Sequence, residues 1–142
     1  MATMRVEVVS PERVLFSGEA TMVVTRTLGG GEIAFQPGHA PFLAALTENH
    51  TRIYLADGGR QDVAVHGGFV EVSNNTVSLL CDVAELAGDI DVERARRAKE
   101  TAERGVGGAG GGGGGDEADA DEAAAALRRA NARLAAADRG GR

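Results

Sequence analysis

Hydrophobic and polar residues alternate from Met4 to about Leu86. Val6 and Val8, Val63 and Val65, Val70 and Val72, then Val77, Leu79, Cys81 and Val83 occupy every second position. Successive side chains of a strand point to opposite faces, so this period predicts strands with one buried face and one wet face. Turn residues separate the runs at Ser10-Pro11-Glu12, Leu28-Gly29-Gly30-Gly31, Asp57-Gly58-Gly59 and Asn74-Asn75. Such spacing suits many short antiparallel strands, and predicts an all-β sandwich or barrel over residues 1–88.

The period changes at Asp91. That residue can cap a helix, with Glu93 in the first turn favourable to the helix dipole and Val92, Ala95, Ala98 and Ala102 forming one apolar stripe. Glu93 with Arg97, and Glu100 with Arg104, are predicted i,i+4 pairs. Nine glycines fill residues 105–115, a composition that predicts a flexible linker. Neither a preceding strand nor a following Gly-Lys-Ser/Thr makes that tract a phosphate loop. A second helix is predicted from about Asp116 to Asp138, acidic at its start and richer in arginine toward its end. Its stripe runs through Ala123, Leu127, Ala130, Leu134 and Ala137. Two alanine-rich stripes can approach closely, so residues 89–142 read as a marginal, movable antiparallel helical hairpin.

The stiffest stretch is Phe35-Gln36-Pro37-Gly38-His39-Ala40-Pro41-Phe42. Pro37 and Pro41 fix φ and bias the preceding residues away from helix, while Gly38 can take positive φ. His39 is therefore expected at the tip of a rigid turn, which is either a contact surface or a sharp β corner.

Charge narrows the functional classes. Residues 1–88 carry 5 Arg against 10 Asp and Glu, and residues 89–142 carry 10 basic against 11 acidic side chains. An acidic β domain with few aromatic residues lacks the electrostatic footprint for a phosphate backbone, which argues against nucleic acid. No stretch approaches the ~18 to 20 apolar residues of a membrane span, and no signal-peptide core opens the chain, so a soluble cytoplasmic protein is expected. Cys81, the only cysteine, lies in an apolar run with no cation beside it and reads as a buried structural thiol. His39, His50 and His66 show no ligand spacing, so no metal is expected.

The order of parts is specific. Phe16-Ser17-Gly18-Glu19, Pro37-Gly38-His39-Ala40-Pro41, His66-Gly67-Gly68-Phe69-Val70-Glu71-Val72, Val83-Ala84-Glu85 and Ile90-Asp91-Val92-Glu93-Arg94-Ala95 follow one another. Together they resemble the epsilon subunit of the bacterial F-type proton-translocating ATP synthase, closely over residues 3–104 and more loosely over 116–138. The resemblance implies a β sandwich of about ten strands followed by the helical hairpin. It also implies a non-catalytic place in the rotating central stalk, coupling c-ring rotation to ATP synthesis in the head. The implied partners are the gamma subunit, the c ring and the alpha and beta subunits. The location would be peripheral, on the cytoplasmic face of the bacterial cell membrane, without direct insertion. In that family the hairpin either folds down on the sandwich, where it can bind ATP, or extends into the head and blocks hydrolysis.

Carried over residue by residue, Glu32 matches the acidic position that meets the c-ring loops, and His39 matches the histidine of the turn near gamma. Ile90, Asp91, Arg94 and Ala95 match the nucleotide motif, and Arg129 and Arg133 match the arginine pair on the second helix. The chain departs from the pattern at Ala34, where glycine is usual, at Thr101, where ATP-binding relatives carry arginine, and in its glycine tract. No cofactor is implied beyond a weak regulatory ATP.

Ordinary structural roles compete with these assignments. Asp91 and Arg94 also read as an N-cap and an exposed first-turn arginine, and Arg129 and Arg133 also read as a solvated face. Two other classes of function remain beside the stalk subunit: a stand-alone β-sandwich binding module with a helical interaction tail, and a cupin-like metalloenzyme. Co-purification with a large ATPase separates the first class from the others, and metal analysis separates the third. No catalytic constellation can be assembled from the motifs, which predicts no enzyme activity of the chain's own.

Overall fold

The computed structural model describes residues 2–108 and 117–138. Nine strands come first: β1 (Met4–Val9), β2 (Val14–Thr27), β3 (Gly31–Phe35), β4 (Phe42–Leu46), β5 (Asn49–Leu55), β6 (Arg60–Val65), β7 (Gly68–Ser73), β8 (Thr76–Cys81) and β9 (Ala84–Leu86). A single 3-10 turn, Ala87–Asp89, leads to helices α1 (Val92–Gly108) and α2 (Glu117–Asp138). This is the predicted β sandwich and helical hairpin.

The long strand β2 belongs to both layers. Its first half pairs β1, which continues through β8 and β7 to β4. Its second half lies between β3 and β5, and that layer continues through β6 to β9. A register shift between Ala20 and Met22 marks the change of layer. The alternation seen in the sequence fills the space between layers: Met4, Val6, Val8, Val23, Phe35, Ile53, Val63, Val65, Val70, Val72, Val77 and Leu79 are all buried there. Polar Thr25, Asn49 and Thr51 share the buried set, and they satisfy one another: Asn49 Oδ1 accepts from the Thr25 hydroxyl at 3.2 Å and from the Thr51 hydroxyl at 2.6 Å. Burial in this core pushes the Cys81 thiol up to about 12, in keeping with an inert structural cysteine.

Asn74 and Asn75, both at positive φ, close the two-residue hairpin between β7 and β8. Asn75 then ties three segments together, donating to the Thr3 carbonyl and accepting from the Gly38 backbone, each at 2.9 Å. Val83 departs from the predicted alternation, because β8 ends at Cys81 and the Val83 side chain is exposed. Its backbone is used instead, accepting from the His66 amide at 2.9 Å.

The helices are antiparallel. Gly105 near the end of α1 faces Ala123 near the start of α2, and Val92 shares a cavity wall with Leu134 and Ala137. Helix α1 continues through Gly108, where the sequence predicts the linker to have begun. Contact explains the extension: a Cβ on Gly105 would lie 3.0 Å from that of Ala123, so glycine lets the helices close. The remaining tract, residues 109–116, lies outside the described residues. The surface ion pairs of α1 also differ from expectation, since Glu93 pairs with Arg96 and Arg104 donates to Thr101. Residue α2 positions beyond the predicted stripe are buried too: Ala132 and Ala136 pack on Ala64 and Ile90, so the hairpin lies down on the outer face of the β5–β6–β9 layer.

Candidate functional site

The chain turns from sheet to helix at residues 84–95, and the motif residues fall at that corner. Asp91 caps α1, its carboxylate accepting from the Arg94 amide at 3.0 Å. Arg94 is thereby placed on the exposed first turn, while Ala95 is buried beneath it. Helix α2 adds Arg133. Together with Glu85 and Asp89, residues Asp91, Arg94, Ala95 and Arg133 line a cleft of about 240 Å³.

Two residues of the predicted set lie elsewhere. Ile90 is an apolar anchor, buried with Ala64, Ala132 and Ala136 rather than facing the cleft. Arg129 turns along its own helix and donates to Glu122 at 2.8 Å. Of the three arginines matched to the family's nucleotide motif and arginine pair, only Arg94 and Arg133 share the cleft, because Arg129 lies one helical turn before Arg133 and finds a carboxylate of its own. Thr101 binds Arg104 on α1 and does not line the cleft.

Glu85 is the residue that sequence reasoning missed. One of its oxygens accepts from His66 Nε2 at 3.0 Å and from Arg133 Nε at 2.5 Å. The His66 bond first, then Arg133, outweigh the effect of burial and bring the Glu85 carboxyl down to about 2 from 4.5. A depressed carboxyl contributes stability that is present above its unfolded value and is lost as pH falls through the folded one. Folding stability is accordingly expected to fall between pH 4.5 and about 2, and the part of the shift owed to Arg133, which alone is lost when α2 lifts, weakens docking of α2 within that range. Helix protection followed by amide exchange across that range checks this, and Glu85→Gln should flatten the dependence.

The opposite flank of α2 forms a groove of about 330 Å³, bordered by Glu32, Glu48, Arg52 and Arg128 among others. Arg128 donates to Glu48 at 2.9 Å. Burial alone would raise the Glu48 carboxyl, yet the Arg128 hydrogen bond and charge leave it below its ordinary value. Glu32, with its side chain about half exposed, pairs with Arg52 at 2.9 Å. His50 and the fully buried Asp62 are joined on the same outer face, where Arg60 grips Asp62 through two bonds.

His39 is not presented at the tip of its turn as the sequence suggests. Its amide closes the turn onto the Gln36 carbonyl at 3.1 Å, and Nδ1 donates to the Ala40 carbonyl at 2.7 Å. The ring lies edge-on to Phe35, with centroids 5.0 Å apart, and also contacts Phe42. The aromatic residues on either side of the prolines draw the ring inward.

Comparison with known proteins bears on this architecture as a whole. Residues 3–87 match the profile of the ATP synthase Delta/Epsilon chain beta-sandwich domain, and residues 89–138 that of its long alpha-helix domain. The chain belongs to the ATP synthase delta/epsilon chain family. Within the family, the ATP synthase epsilon chain of Streptomyces griseus is 44% identical over 135 residues, 95% of each chain. That of Thermobifida fusca is 49% identical over 102 residues, 70% of this chain and 74% of the relative. The fold also matches a chain of the Euglena gracilis mitochondrial ATP synthase, with a TM-score of 0.79 at 21% identity, covering 96% of this chain and 82% of that one. A chain from the central stalk and c-ring structure of the Tetrahymena thermophila enzyme gives a TM-score of 0.58 at 15% identity. No described helix is long and apolar enough to cross a membrane.

Proposed function

We propose that the chain is a non-catalytic central-stalk subunit of a proton-translocating ATP synthase. The observation that carries this is the tandem match of sandwich and helical domains, together with a relative that aligns over 95% of both chains. Its partners are then the gamma subunit, the c ring and the alpha and beta subunits, and its place is peripheral, on the cytoplasmic face of the membrane. Residues 1–88 form the docking and coupling domain, and residues 89–142 the element that restrains hydrolysis. Co-purification of the tagged chain with gamma tests the assignment. Recovery of the chain free of any ATPase subunit would reject it.

Glu32 is the proposed c-ring contact, supported by its exposure at one end of β3 and its ion pair with Arg52. Exposed pairs contribute little to stability, so Glu32→Lys is expected to reduce coupled proton pumping while the melting temperature changes by no more than a few degrees. Unchanged pumping would remove Glu32 from the interface. The proposed part of His39 is indirect: it holds the 36–41 turn in shape against Phe35 and Phe42 for gamma to read.

Regulatory ATP, where bound, has Asp91, Arg94, Ala95 and Arg133 as its proposed site. Each charge-assisted bond contributes ~1.5 to 3 kcal/mol, and Arg129 and Thr101 supply none there, so affinity nearer millimolar than micromolar is expected. Isothermal titration reads this directly, and micromolar binding would contradict it.

A further inference from the structure

We propose that the hairpin of this chain is held down by the sandwich's own carboxylates, Glu48 on Arg128 and Glu85 on Arg133, and that nucleotide is not what locks it. The inference rests on reading the hairpin as the regulatory element, and concerns what sets its position.

The geometry is that of a two-point clamp. With 3.6 residues per turn, Arg133 lies about 140° around α2 from Arg128, and Ala132 and Ala136 fall at about 40° and 80° between them. Those two alanines meet the sheet at Ala64, with Ile90 beside them. The apolar part of the contact thus consists of alanines beside a single isoleucine, and each alanine gains little on burial. An arginine–glutamate bond closes each flank, at 2.9 Å to Glu48 before β5 and at 2.5 Å to Glu85 on β9. His66 Nε2 donates to the same Glu85 oxygen from beneath, and the side chain of His66 is almost wholly buried. Glu85 is therefore positioned from inside the sandwich before the helix arrives.

The same arrangement works against a nucleotide. Glu85, Asp89 and Asp91 place three carboxylates in the cleft against the guanidiniums of Arg94 and Arg133. Arg133 already has its counter-ion. A triphosphate engaging Arg133 would compete with Glu85 for the same guanidinium and would set added negative charge against that carboxylate. Arg129, bonded to Glu122, does not relieve the deficit. Anions that compete for Arg133 consequently loosen the clamp, and salt does the same by screening both pairs.

Amide hydrogen exchange of the full-length chain tests the proposal, with residues 123–136 of α2 read against β1 and β8 as an internal control. In the wild type, about 2 mM Mg-ATP is expected to leave α2 exchange within twofold of its nucleotide-free rate. Glu48→Gln is expected to speed it about threefold, and Glu48→Gln with Glu85→Gln about tenfold, with the control strands unchanged. Should Glu85→Gln disturb the control strands, the exchanged pair Glu48→Arg with Arg128→Glu decides: it should restore protection lost in Glu48→Arg alone. Slowing of α2 by ATP more than twofold, a double variant as protected as the wild type, or failure of the exchanged pair to restore protection would overturn the proposal. None of these readouts depends on assembly, so co-purification with gamma tests the functional assignment separately.

Discussion

Phe35→Ala is expected to remove about 3 to 5 kcal/mol of stability, enough to leave much of the chain unfolded. Phe35 is completely buried at the end of β3 and is among the largest side chains of the core. Truncation removes its transfer free energy and leaves a cavity that the surrounding valines are too short to fill. The ring also supports the turn that follows, because Phe42 lies 5.5 Å from it and His39 packs against its edge. Chemical denaturation should show the full loss, with the melting temperature falling by roughly 15 °C or more. A loss below about 1 kcal/mol would mean that the turn does not lean on the core.

Gly68→Ala is the second large effect, and it explains why the His66-Gly67-Gly68-Phe69 stretch has its glycines. Gly68 begins β7 opposite Cys81 with a φ of +119°. A Cβ there would lie 2.2 Å from the Leu80 carbonyl oxygen and 2.8 Å from the Cys81 Cα, both backbone atoms that cannot swing aside. Backbone strain and overlap together should cost about 3 kcal/mol or more. Gly88→Ala provides the control, since an added methyl meets nothing within 4 Å. Equal denaturation midpoints for the two variants would contradict the argument.

Much of this structure was legible in the sequence because the physics is local. Alternation of valines marked the strands, Asn74-Asn75 marked a hairpin, and the change of period at Asp91 marked the first helix. The second face of α2 was hidden by its composition. Where half the residues are alanine, small apolar positions fall on every side of a helix, and periodicity cannot say that Ala132 and Ala136 meet the sheet while Leu134 shares a cavity wall with Val92 of α1. The clamps were hidden by distance along the chain, since Arg128 reaches Glu48 across 80 residues and Arg133 reaches Glu85 across 48. Glu85 stood within the recognised Val83-Ala84-Glu85 run, yet nothing local distinguished it from an ordinary strand carboxylate. Glycine propensity also misled at Gly105, where packing against Ala123 carries the helix past the point at which composition alone would end it.

The division of labour between sandwich and hairpin is the central claim, and one reconstitution tests it most directly. The sandwich has a core whose buried and packing residues all fall within 4–86, so a chain ending at Gly88 should fold without the helices. ATP synthase depleted of its epsilon subunit would be supplied with the full chain or with residues 1–88, and ATP hydrolysis and proton pumping measured on the same membranes. Both chains are expected to bind gamma and restore coupled pumping, and only the full chain to slow hydrolysis. A folded 1–88 chain that fails to bind gamma, or equal hydrolysis rates with the two chains, would contradict the account.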